Sequence, residues 1–373
     1  MDVPTPEQLG LQIAQARERR GMTQEALAHS IELERSTISK IESGARKVSA
    51  IELSKIARAL HTSMASFFRS PAPAIVSHRA EQGEEADSVV DMRLERLADS
   101  ITLIRRIGSL KGGALPSPWE RPDTVDEAEN MGSRLRSHLR LDGAEPLTDI
   151  ARRAAESLGC YIFSAELGED TADAGSMLLD EATAVAVVNA SRKPGRRRLS
   201  AVHELGHALV QDEYTVDWRT ATRDDGLESR LDRFARAVLL PAAELGRSFP
   251  ESEAREGLRN ACVRIGSRFR VDMTTLAIRL VRDLSLTGVD SFDTIRQIRT
   301  TKSDFIRLNL VNPPEEFAGV TQPLLYQQAV LRLFEGERIS AQRAVELLEG
   351  TVDFEDLPPR PEGRAEDIWD FIS

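Results

Sequence analysis

The segment V-H-E-L-G-H-A-L-V at 202–210 limits what the chain can fold into more than any other part of the sequence. Residues four apart lie on one face of a helix, so His203 and His207 can bind one cation together. Glu204 lies beside them, where a carboxylate can accept a proton from a water held at that cation. Because the rest of the segment is apolar, it predicts a buried helix with a metal site on one face.

A catalytic zinc site normally has three protein ligands and one open position. The segment 226–241, G-L-E-S-R-L-D-R-F-A-R-A-V-L-L-P, predicts a second helix with Glu228 and Asp232 four residues apart. Glu228 is a candidate third ligand, and Asp232 can hydrogen-bond a ligand histidine. Spacing alone leaves a second interpretation of Glu228, a solvated carboxylate in the first turn of the helix.

The stretch R-R-R-L-S-A-V-H-E-L-G-H-A-L-V, followed by E-S-R-L-D-R-F-A-R-A-V-L-L-P, resembles the ImmA/IrrE family of metallopeptidases over about residues 120–285. The resemblance implies a zincin-like core with His203, His207 and Glu228 as ligands and Glu204 as the base. It implies Zn²⁺, with Mn²⁺ as the alternative metal. The family usually has Ala-Asn where this chain has Leu231 and Asp232, and neither change removes a ligand.

Three short strands are predicted ahead of the metal helix, at 160–163, 176–180 and 183–189. We expect the strand that ends at Asn189 to bind an extended peptide by edge pairing. Tyr214 is a candidate donor to a developing oxyanion. A buried tyrosine bonded to backbone is the other interpretation of that residue.

Residues 9–69 predict an all-helical unit in which Thr23 caps one helix and a second begins at Arg35. This segment resembles the XRE/Cro-type helix-turn-helix, which implies binding to double-stranded operator DNA. A helical bundle used for protein contact is the alternative. Base edges are expected to face Arg35, Ser36, Thr37 and Lys40. Gln24 is expected to face the phosphates or a flanking base, and Arg46 and Lys47 are the expected phosphate contacts. The modest basic content indicates that binding requires a homodimer.

The expected fold class is multidomain and mostly α, with a small α+β segment. We expect a helix-turn-helix domain at 1–70, a linker and amphipathic helix at 71–118, a zincin-like metallopeptidase domain at 119–285 and a helical C-terminal region at 286–373. Within the second range, an apolar seam from Val90 to Ile104 indicates either a dimerisation helix or a helix that packs on its own chain. Residues 268–286 have a second helix-turn-helix pattern, which we interpret as structural.

Composition limits the cellular compartments in which the chain is expected to function. The chain has 373 residues, a net charge of −11 and only two cysteines, which are too few for a disulfide framework. No apolar run reaches the roughly 18 residues that a membrane span requires. These features predict a cytoplasmic protein with no membrane partner.

Two functions are consistent with these patterns. One is a DNA-binding regulator with a zinc-dependent endopeptidase that cleaves a specific repressor or antitoxin-like protein, as the family does in stress response and mobile-element control. The alternative is a transcriptional repressor or antitoxin component whose peptidase-like domain is a sensor or interaction module without turnover. Retention of Glu204 favours the first, because a structural role does not need a general base.

Overall fold

A computed structural model of the chain describes residues 5–19, 22–60, 64, 67, 75–78, 84–108, 110–169, 171–211, 226–311 and 314–359. The described residues divide into two compact units, one within residues 5–67 and one that begins at Ile75. Tyr214 and the C-terminal tail from residue 360 lie outside the described residues, as does half of the predicted linker, which spans 71–88.

The first unit is a bundle of four short helices: α1 (Pro6–Arg19), α2 (Gln24–Ser30), α3 (Arg35–Glu42) and α4 (Ala50–Ala59). Thr23 caps α2 as predicted, since its hydroxyl accepts a hydrogen bond from the amide of Ala26 at 3.1 Å. Helices α2 and α3 pack together, because Ala28 and Ile31 are buried with Ile38 and Ile41 in one cluster.

The second unit is built around a four-stranded sheet: β1 (Ile75–His78), β2 (Cys160–Ala165), β3 (Ala174–Asp180) and β4 (Thr183–Asn189). The strand order is β1-β3-β4-β2, with β2 and β4 parallel and the other pairs antiparallel. The strand that ends at Asn189 is therefore interior, and the prediction that it binds a peptide at an edge is wrong. Its backbone groups already bond to strands on both sides.

The described helices of the second unit follow in this order: α5 (Glu84–Ile107), α6 (Val125–His138), α7 (Ile150–Leu158), α8 (Pro194–Val210), α9 (Leu227–Leu239), α10 (Ala242–Phe269), α11 (Met273–Ala277), a π-helical turn (Ile278–Asp283), α12 (Ser291–Arg296), α13 (Lys302–Arg307), α14 (Leu324–Glu335), α15 (Ala341–Leu348) and a 3₁₀ turn (Phe354–Asp356). Helix α10 is broken at Gly257, where φ is 77°. No helix among these residues is long and apolar enough to cross a membrane. The mostly helical fold with a small α+β segment is as predicted.

Both faces of β2 and β4 are covered, which explains why these two strands are mostly apolar rather than alternating. Successive side chains point to opposite faces. In β2, Cys160 and Ile162 join the core beneath α6 to α11, whereas Tyr161 and Phe163 join the core beneath α5, α14 and α15.

The apolar seam of α5 packs into this second core, and Val90, Leu94 and Ile101 are fully buried there. The seam therefore lies on the sheet of its own chain, the second of the two interpretations. One part of the predicted linker is also ordered into the sheet, because β1 lies within 71–88. Its β-branched pair, Ile75 and Val76, is the local signal for a strand.

Residues 268–286 include the end of α10, all of α11 and the π-helical turn, and Leu276 and Leu280 are buried in the core that also contains α8. This segment therefore packs as part of the fold, in agreement with its structural interpretation.

Candidate functional site

Helix geometry brings the functional side chains of the 202–210 segment close together on α8. His203, Glu204 and His207 are buried, with exposures of 1%, 0% and 1%. Pro194 at the start of α8 has the fixed φ that a first helical turn requires. Because His203 and His207 are one turn apart, their rings lie on the same face and their Nε2 atoms are 3.1 Å apart.

The arginines ahead of these residues anchor α8. Arg196 pairs with Asp173 at 2.5 Å, and Arg197 pairs with Glu315 at 2.6 Å. Arg198 is buried, donates to the carbonyl of Leu147 at 2.6 Å and contacts Glu316. Burial, with the nearby charge of Arg270, lowers the pKa of Arg198 to about 9. These contacts hold the helix in place beneath the sheet.

Helix α9 supplies the third group because Gly206 allows it to approach α8 closely. A Cβ at Gly206 would lie 3.0 Å from side-chain atoms of Leu231 and Phe234. Leu231, one of the two departures from the family pattern, is thus a packing residue against this glycine. The approach brings Glu228, in the first turn of α9, over the histidines of α8.

The three side chains converge on one point. Glu228 Oε2 is 3.1 Å from His203 Nε2, and Glu228 Oε1 is 3.2 Å from His207 Nε2. The candidate ligand atoms all lie within 4.8 Å of one another. Tetrahedral ligands with bonds of about 2.0–2.1 Å are separated by about 3.3 Å, so the set fits a small cation such as Zn²⁺.

The charge state of Glu228 is consistent with a ligand. Burial opposes its ionisation, but hydrogen bonds from His203 and His207 outweigh burial and hold its pKa well below the usual value. The Glu228 carboxylate itself is half-exposed.

Asp232 lies one turn further along α9, where its Oδ1 is 2.8 Å from His203 Nδ1. A carboxylate at this nitrogen favours a ring proton there, so that Nε2 would present its lone pair to a bound cation. Asp232 therefore provides the polar contact to His203 that the asparagine usual in the family at this position can make.

Glu204 is fully buried and has one described donor, since Ser176 Oγ of β3 donates to its Oε2 at 2.6 Å. Its other oxygen, Oε1, has no hydrogen-bond partner among the described residues. A buried polar atom without a partner indicates a group that the protein side chains do not supply. This orphaned oxygen beside two histidines and a carboxylate is what a cation with an attached water would satisfy.

Sequence reasoning missed Ser176. The available signal was a hydroxyl residue in an otherwise apolar strand, two positions from Ala174 and therefore on the face that packs towards α8. Cys160 lies near the same carboxylate. Burial, together with the charge of Glu204, raises the pKa of Cys160 to about 12, so its thiol is protonated at neutral pH.

In the first unit, Arg35, Ser36 and Lys40 are exposed on α3, and Thr37 is partly buried beside them. Ser36 Oγ is 3.3 Å from Glu34 Oε2. This surface can meet base edges in a major groove.

The residues expected to face the DNA backbone differ in their exposure and in their present partners. Gln24 is partly buried and donates to Glu42 Oε2 at 2.8 Å, and Arg17 also bonds Glu42, at 2.6 Å. Arg46 is exposed and pairs with Glu52 at 2.8 Å, and Lys47 is exposed. An exposed ion pair is weak, so Arg46 can exchange Glu52 for a phosphate.

Two models of known protein families match the chain, one in each unit. Residues 13–67 match the model of a helix-turn-helix family. Residues 155–281 match the model described as IrrE N-terminal-like domain, within peptidase family M78. No curated protein matches the chain. The crystal structure of Bacillus thuringiensis PlcR in complex with the peptide PapR7 and DNA aligns at 13% identity over 91% of each chain with a TM-score of 0.18, an overlap too slight to bear on fold or function.

The chain thus combines a DNA-binding helix-turn-helix with a metallopeptidase-like domain. The first is of the XRE type and the second is IrrE-like, as the sequence resemblance implied. The second match also implies a metal, and the described residues His203, His207 and Glu228 form a group that can hold one.

Proposed function

We propose that the chain is a DNA-binding regulator with a zinc-dependent endopeptidase that cleaves a specific repressor or antitoxin-like protein. The observation that carries the proposal is the convergence of His203, His207 and Glu228 within 4.8 Å, beside the buried carboxylate of Glu204. A structural helix has no need of an unpaired buried carboxylate oxygen next to two histidines.

The roles follow from the contacts. His203, His207 and Glu228 would hold Zn²⁺, or Mn²⁺ as the alternative metal. A bound ion would supply Lewis-acid polarisation of the scissile carbonyl and would make a water more acidic. Glu204 takes a proton on Oε1 and later delivers it to the leaving amine, while Ser176 holds Oε2 in place. Tyr214 remains the candidate oxyanion donor.

The helix-turn-helix would direct this activity to an operator. In this proposal a homodimer places α3 of each copy in a major groove, with Arg35, Ser36, Thr37 and Lys40 at the bases. Arg46 and Lys47 would contact phosphates, and Gln24 would face a phosphate or a flanking base.

The first test is metal content measured by elemental mass spectrometry. We expect about one zinc per chain in the wild type, and its loss in His203→Ala and Glu228→Ala. His138→Ala and Glu251→Ala are matched controls, because both side chains are exposed. Wild-type protein that cannot be loaded with metal would overturn the proposal.

The second test identifies a substrate. Protein N-termini are labelled in cells that express either the wild type or Glu204→Gln. We expect a small set of new termini in the wild-type cells alone, because the variant keeps the metal ligands but lacks the base. If the two sets are identical while both proteins bind zinc and DNA, the chain is a regulator whose peptidase-like domain has no turnover.

A further inference from the structure

The short strand β1 occupies one edge of the sheet. It pairs antiparallel with β3, with Ser77 opposite Ser176, His78 opposite Gly175 and Ile75 opposite Met177. A register shift separates Ile75 from Ser77, so the pairing is both short and irregular. On its other side β3 pairs with β4. Without β1, therefore, β3 would be an open edge.

This edge adjoins the candidate catalytic base. Ser176, which faces Ser77 across the ladder, is the residue that donates to Glu204. Helix α8 lies against β3, and Cα atoms of β1 also come within 8 Å of α8. An extended segment paired with β3 in this register therefore runs alongside Glu204.

The opposite edge of the sheet is less suited to this role. There Ser164 of β2 exchanges backbone hydrogen bonds with Thr321, at 3.0 and 3.2 Å. In the strand order, β4 separates β2 from β3, which carries Ser176. The edge of β3 is thus the edge at which an added strand passes next to the candidate site.

We propose that the edge of β3 is where the site takes an extended substrate segment, and that residues 75–78 occupy this edge as a competitor within the same chain. The inference rests on the proposed peptidase function and adds its regulation. Extended peptides commonly bind by adding a strand to a sheet edge, so a substrate has to displace β1 before it can pair.

The position of β1 in the chain links its pairing with β3 to the helix-turn-helix. Ile75 begins the second unit, directly after the N-terminal stretch of the chain that belongs to the unit containing the helix-turn-helix. A tethered strand acts at an effective concentration of about 1 mM, which a free segment must overcome. Any event that pulls on this connection, such as DNA binding, would release the edge.

The test uses a fluorescent peptide with the sequence of residues 71–82 and measures its binding to the full chain by anisotropy. Every chain carries Glu204→Gln, so the peptide is not cut. Ser77→Pro removes a backbone donor from β1 and should open the edge, tightening peptide binding about tenfold. Gln82→Pro, in the same connection but outside β1, should bind as the parent does.

A second variant is needed because a proline can prevent folding of the chain. Ile75→Gly with Val76→Gly weakens the strand without a proline and should also tighten binding. In both variants, added peptide should restore protection of the amides of residues 174–178 against hydrogen exchange. Equal affinity in the parent and in both strand variants would overturn the inference.

The chain with Glu204 intact distinguishes the remaining outcomes. Intact mass of the zinc-loaded wild type should show no cut within residues 71–82. A cut there would make this segment a substrate and overturn its role as competitor. If zinc-loaded protein cleaves nothing at all, the proposed function fails, yet the contrast in peptide affinity still reports on the edge.

Discussion

Replacement of Asp232 tests how the candidate metal centre is assembled, because this residue touches a ligand without being one. Its Oδ1 lies 2.8 Å from His203 Nδ1. Asp232→Ala removes the acceptor that fixes the ring and its proton. Asp232→Asn keeps an acceptor and removes only the charge, and it restores the residue usual in the family.

The magnitude follows from the environment. Loss of a group that orients a ligand histidine typically weakens metal binding 10–100-fold, or about 1.4–2.7 kcal/mol. The Asp232 side chain is 27% exposed, so water can take over part of the contact. We therefore expect a loss of about 10–30-fold for Asp232→Ala and of less than about fivefold for Asp232→Asn.

The assay is competition for Zn²⁺ with a chromophoric chelator at pH 7, on metal-free proteins whose thermal unfolding is checked first. Asp293→Ala is the control, since that side chain is 69% exposed on α12. Alanine at 232 with wild-type affinity would refute the orienting role. Asparagine as damaging as alanine would show that the charge matters, rather than the hydrogen bond.

Three further predictions concern other parts of the molecule. Glu129→Gln should lower the free energy of unfolding in urea by about 3 kcal/mol at pH 7, because it removes the charge that pairs with the fully buried Arg279 and leaves Asp283, at 3.5 Å, as its described carboxylate. Burial opposes ionisation of Glu129, but hydrogen bonds from Arg279 lower its pKa. The stabilisation by the Glu129 carboxylate is therefore present above about pH 4.5 and is lost as the pH falls further. The difference in unfolding free energy between wild type and variant should shrink at pH 3, and a difference independent of pH would contradict this. Ser176→Ala should slow the cleavage attributed to Glu204 about 10–100-fold with zinc content unchanged, and an unchanged rate would remove Ser176 from the site. Lys40→Ala should weaken operator binding about tenfold in a gel-shift titration, and the loss should be absent on unrelated DNA if the side chain reads bases.

Local patterns in the sequence were sufficient for most of the secondary structure and for the helices that carry the candidate ligands. The i and i+4 spacing of His203 and His207 needs only a helix to become a pair on one face. The capping hydroxyl of Thr23 and the apolar positions of α2 and α3 likewise act within a few residues, so the first unit could be predicted from sequence.

Other features depend on contacts between segments that are distant in the chain, and periodicity carries no information about these. An apolar strand buried on both faces looks the same at an edge as in the interior, which is why the position of β4 was predicted wrongly. The seam of α5 had two interpretations because its partner is a sheet contributed from residues 160–189.

The sequence by itself therefore determined which residue types and helical faces the candidate metal centre can use, since those depend on spacing along one chain segment. Only the tertiary structure decided that Glu228 comes within 3.2 Å of both histidines, through the approach of α9 at Gly206. It also decided that Ser176 holds Glu204 and that residues 75–78 lie on the adjoining edge. Those arrangements result from the packing of the sheet against α8 and from strand order, which no local pattern encodes.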